Sequence, residues 1–66
     1  MTMEIDAKSP QGNAFYIIGA VCRLLKEVGR DSEVAAVREK MMSGNYDNLC
    51  EVAEEVTFGS IQVVNR

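Results

Sequence analysis

Residues 14–22 read Ala-Phe-Tyr-Ile-Ile-Gly-Ala-Val-Cys, about two and a half helical turns without one charged side chain. A helix lying on a protein surface carries an apolar stripe on one side and charges on the other. Here the only polar group on either side is the hydroxyl of Tyr16. A chain of 66 residues has little remaining mass with which to surround such a helix. The sequence therefore predicts that another copy of the chain covers the second face. Domains of this size also need a staple beyond their own small core: disulfides, metal, unusually good packing or oligomerisation. With no His and two isolated Cys, a metal site is not expected, and the cysteines read as small buried hydrophobes in a reducing compartment. Oligomerisation is the staple that remains.

Seven Lys and Arg stand against ten Asp and Glu, a net charge of −3. Phosphate contacts by basic side chains dominate nucleic-acid affinity, so DNA and RNA are not expected partners. A compact anionic ligand stays open, because a local cluster can outweigh a distant surplus. No apolar run reaches the roughly 20 residues of a membrane span, and no secretory signal is read at the start. The expectation is a soluble, cytoplasmic protein.

The chain reads as one small, mainly α domain of about three short helices plus a C-terminal strand, assembled as an intertwined homo-oligomer. Residues 1–12 form a partly flexible head in which Met3, Ile5 and Ala7 alternate with Glu4, Asp6 and Lys8, the period of a short strand. Asn13 is the expected N-cap of a central helix over 14–28, which Gly29 ends. Gly19 in mid-helix lets another backbone approach, either a second helix of this chain or one from a second copy. Asp31 or Ser32 is the expected cap of a helix over 33–42, with Val34, Ala35, Val37, Met41 and Met42 as its apolar face. Asn45 caps a third helix over 46–56, where Leu49, Val52, Ala53 and Val56 fall at i, i+3, i+4 and i+7. Glu51, Glu54 and Glu55 read as its solvated outer face. From Thr57 to Val64 the β-branched and aromatic content predicts a strand. Its partner is either the Met3–Ala7 segment or the tail of another copy, and both favour an intertwined oligomer.

Few residues are placed to carry chemistry. Without His there is no ordinary base for a nucleophile, and the acids show no distinctive pairing, so the chain reads as non-catalytic and without cofactor or metal. The N–H groups opened by Asn13 suit an anion, Phe15 or Tyr16 can stack on a nucleobase, and Arg23, with Lys26 one turn on, supplies charge. The ordinary explanation of the same residues is a capped helix, a core aromatic and solvated bases.

Gly12-Asn13-Ala14-Phe15 opening an apolar helix, followed by Ser43-Gly44-Asn45-Tyr46-Asp47-Asn48-Leu49, resembles small phage and prophage proteins that carry a GNAF start and an SGDYDNL turn. Asn45 stands where those proteins have Asp. The likeness covers about a third of the chain, and it implies a phage accessory protein with no activity attached. In outline, small oligomeric phage proteins without catalytic residues are similar to the sponges that sequester nucleotide signals of host immunity. By that analogy the chain binds a small nucleotide through Asn13, Phe15, Tyr16 and Arg23. The alternative is an interaction module that blocks a host factor through its acidic helix face or an exposed apolar patch.

Overall fold

The computed structural model describes residues 2–66; Met1, the first residue of the head read as partly flexible, lies outside them. A strand β1 (Met3–Asp6) leads through a 3₁₀ turn at Pro10–Gly12 into α1 (Ala14–Glu27). A second 3₁₀ turn at Asp31–Glu33 precedes α2 (Val34–Met42), then come α3 (Tyr46–Val56) and β2 (Ile61–Val64). The two strands pair in parallel, with Ile5 beside Val63. The three helices and the C-terminal strand expected from the sequence are thus present, and β2 takes its partner from the head of its own chain. Pairing within one chain satisfies β2 without a second copy.

Alternation makes the sheet one-sided: Ile5, Ile61 and Val63 are buried, while Glu4, Asp6 and Gln62 face water. With that inner face, Ile17, Ile18, Val21 and Leu25 of α1, Val37 and Met41 of α2 and Leu49, Cys50, Val52 and Ala53 of α3 form one core. The spacing of the α1 set at i, i+1, i+4 and i+8 is one helical face, so the fold itself covers one side of the charge-free helix. Both cysteines are free, Cys50 fully buried and Cys22 half-buried. Burial pushes the Cys50 thiol and the Tyr46 phenol above their ordinary values, so both stay protonated at neutral pH.

The two motifs that carry the phage-protein resemblance meet in space. Asn13 Oδ1 accepts from the Tyr16 N–H at 2.8 Å, and Asn45 Oδ1 accepts from the Asn48 N–H at 2.9 Å, so each motif starts a helix. The Tyr46 hydroxyl then donates to the Gly12 carbonyl, joining the second motif to the first. At Gly12 a Cβ would collide with the backbone of Ala7, so only glycine permits this approach of the head to the start of α1. Asn48 Nδ2 donates to the Lys40 carbonyl at 3.1 Å and fastens α3 to α2.

Several local expectations are corrected. The strand expected over 57–64 begins only at Ile61, because Thr57–Ser60 closes α3. Gly59 N–H reaches the Glu54 carbonyl at 2.9 Å and Phe58 N–H the Glu55 carbonyl at 3.2 Å, a Schellman ending. Gly29 makes the same ending for α1, at φ +79°, as its sequence position predicts. Neither Asp31 nor Ser32 caps α2; the first turn is held instead by Arg30, whose guanidinium donates twice to the Glu33 carboxylate at 2.7 Å. That guanidinium also holds the Glu33 carboxyl below the usual carboxylate range. Ala35 and Met42 of the expected α2 face are exposed, and Glu54 is not part of a solvated face. Its carboxylate accepts from the Val63 N–H at 3.1 Å.

Thr57 is the one buried polar residue among those described: its hydroxyl donates to the Ala53 carbonyl at 2.6 Å and accepts from the Ile61 N–H at 3.2 Å. Thr57→Val keeps the shape and strands the Ile61 N–H. It is expected to cost about 1–3 kcal/mol in urea-induced unfolding. Gly29→Ala should cost about 1 kcal/mol by the same measurement, since its φ is left-handed.

Candidate functional site

The face of α1 turned away from the core floors a groove of about 560 Å³. Tyr16, Ala20, Arg23 and Glu27 follow one another at i+4, i+3 and i+4 along it, with Phe15, Gly19 and Leu24 alongside. Its other wall comes from the start of each strand: Met3 of β1 and Ile61 of β2, which are register partners. The parallel pairing of the chain's two ends is therefore what gives α1 an opposite wall.

Three of the four ligand residues expected from the sequence line this groove together: Phe15, Tyr16 and Arg23. Phe15 is 81% exposed and Tyr16 38%, so neither is a core aromatic. Arg23 forms no ion pair or side-chain hydrogen bond with another described residue. Asn13 is absent from the lining, because its side chain is spent at home. Its carbonyl oxygen caps α1, and its amide donates to the Pro10 carbonyl at 2.7 Å. Lys26 lies on a different surface, a shallower hollow with Val34, Ala35, Arg38 and Met42 beside α2.

Gly19 settles one question about the crossing. A Cβ built there meets nothing within 4 Å, so no helix of this chain crosses at Gly19, contrary to the simpler of the two sequence expectations. The residue instead leaves a shallow place in the groove floor between Tyr16 and Arg23. Met3 and Ile61 escaped the sequence reading, because only tertiary pairing brings them to α1. The acidic outer face of α3 is also smaller than expected: Glu51 and Glu55 remain exposed, with Lys40 3.9 Å from Glu55. Among the described residues no helix is long and apolar enough to cross a membrane.

No known protein family matches the chain, and neither a curated protein nor a solved structure matches it.

Because the groove floor is open at Gly19, Gly19→Ala is expected to raise the stability of the folded chain by about 0.5–1 kcal/mol through helix propensity alone. Thermal denaturation checks it. A fall in stability would mean that the glycine is needed for packing.

Proposed function

We propose that this chain is a non-catalytic binding protein, a phage accessory protein by its sequence resemblance, and that the α1 groove is where its partner docks. The observation that carries this reading is the gathering of exposed Phe15, Tyr16 and Met3 on one open face, beside half-buried Leu24, while the core is filled by other residues. An aromatic side chain left 81% in water on a small domain is the kind of anchor that dominates protein interfaces. The groove is mainly apolar, it holds one basic side chain, and Glu27 stands one turn from it. That balance favours an apolar segment of a protein, a host factor or a second copy of this chain, over a strongly charged ligand.

A second reading, sequestration of a small nucleotide, is favoured by Tyr16 and Arg23 lining the same groove. A ring to stack on a base and a guanidinium to meet a phosphate are two of the groups such a ligand needs. The helix end at Asn13 is not a third, since it lies outside the groove.

Paired substitutions separate the readings. For an apolar protein partner, Phe15→Ala should weaken binding by about 2 kcal/mol or more and Arg23→Ala by much less. For a nucleotide the order reverses, with Arg23→Ala costing about 2–5 kcal/mol, measured by calorimetry against a panel of cyclic and ADP-ribose-type nucleotides. Light scattering tests the second copy directly. Self-association through the groove gives at least twice the 7.3 kDa chain mass, and Gly19→Leu, which fills the floor, returns it to monomer. A wild-type monomer that binds neither nucleotide nor protein through Phe15 would overturn the groove as a docking site.

A further inference from the structure

The two edges of the sheet are finished differently. Met3 N–H and Ala7 N–H reach the Ser60 and Val64 carbonyls at 2.6 and 2.8 Å, so the odd-numbered residues of β1 face β2. By parallel geometry the main-chain groups of Glu4 and Asp6 then point away from the sheet. On β2 the outward N–H groups belong to Ile61 and Val63, and both are taken by side chains, Thr57 Oγ1 and Glu54 Oε2. Both donors on that edge are therefore satisfied within the chain. On β1 neither the Glu4 N–H and C=O nor the Asp6 N–H has a partner among the described residues, and both residues are exposed. The Asp6 carbonyl is occupied, accepting from the Ser9 N–H at 3.0 Å and its hydroxyl at 2.7 Å. One edge is thus free over Glu4 and half of Asp6.

We propose that the free edge of β1 takes up an extended, basic peptide segment as a third, antiparallel strand. Glu4 exchanges both main-chain hydrogen bonds with the facing residue, and Asp6 donates a third to the residue two positions back. Side chains directly opposite Glu4 and Asp6 lie on the same solvent face, so both are lysine or arginine. The residue between them lies on the side of buried Ile5 and is aliphatic. The edge thus recognises a basic–aliphatic–basic pattern. A second copy does not fit, because antiparallel β1 strands centred on Ile5 set Glu4 opposite Asp6 in both directions, acid against acid. The segment would come from another protein, at a surface separate from the α1 helix.

The test uses the full chain labelled with ¹⁵N and two synthetic blocked pentapeptides, Thr-Lys-Val-Lys-Thr and Thr-Glu-Val-Glu-Thr. The basic peptide should shift the amide signals of Glu4, Ile5 and Asp6, slow amide exchange at Glu4 and Asp6, and bind about tenfold more tightly than the acidic one. Methylating the main-chain nitrogen of the second lysine, which faces Glu4, should abolish the exchange protection, since that N–H is the one the peptide donates to the edge. The double variant Glu4→Lys, Asp6→Lys should reverse the preference between peptides while leaving the dispersed spectrum of the fold. Equal binding of both peptides, no shift at millimolar peptide, or shifts centred on Glu51 and Glu55 instead would overturn the proposal, as would survival of the protection after methylation.

Discussion

The hydroxyl of Thr57 joins the last helix to the sheet over which the core is built. Donating to Ala53 and accepting from Ile61, it ends α3 and starts β2 with the same oxygen. Glu54 continues the arrangement one turn earlier in the helix by holding the Val63 N–H. A two-stranded sheet is marginal in water, and a parallel one ordinarily lies between layers of helices. Here the last turn of α3 serves as a third strand made of side chains. With β2 fixed on that side, the head of the chain can pair on the other. The pairing brings Met3 over α1 and closes the core above Ile17 and Val21.

The two Schellman endings show what the chain tolerates to reach this arrangement. α1 ends on Gly29, for which a left-handed backbone is cheap, whereas α3 ends on Phe58 at φ +54°, for which it costs about 1–3 kcal/mol. Arg30 offsets part of that cost. Its guanidinium lies 5.4 Å from the centroid of the Phe58 ring and donates to the Val56 carbonyl at 2.7 Å while holding Glu33. One side chain thus fastens the end of α1, the start of α2 and the end of α3. The sign of its pH dependence follows from Glu33, whose carboxyl is lowered by the Arg30 hydrogen bonds. The pair's contribution is present above the ordinary carboxylate range and is lost as pH falls through the depressed value.

What could be read in the sequence was what local chemistry decides. Asn13, Gly29 and Asn45 act within three residues of themselves, so the helix boundaries they set could be placed without knowing the fold. Thr57–Ser60 could not. Its composition favours a strand, and only the bond from Thr57 back to Ala53 reveals a helix ending. Asp31 and Ser32 have the chemistry of caps, but Arg30 and Glu33 hold that turn instead. The site divides along the same line. Phe15, Tyr16 and Arg23 share a helical face by spacing alone, whereas Met3 and Ile61 reach the groove through pairing across most of the chain's length. Asn13 shows the converse: its expected ligand role rests on the N–H groups that open α1, but its own oxygen takes the Tyr16 N–H and that helix end lies outside the groove.

The charge-free stretch of α1 then has a simple physical consequence. A helix in a three-helix domain with one small sheet can bury about half its circumference, and Ile17, Ile18, Val21 and Leu25 already fill that half. On the remaining half Ala20 and Leu24 reach only the margin of the core, and Phe15 and Tyr16 lie outside it. Phe15 in particular lies almost wholly in water, where a polar residue of equal helix propensity would serve solubility better. The fold is complete without Phe15 and Tyr16, and Gly19 weakens the helix without easing any contact within the chain. Three choices on one face that disfavour the isolated domain, and that together shape one groove, are most simply understood as belonging to whatever fills it.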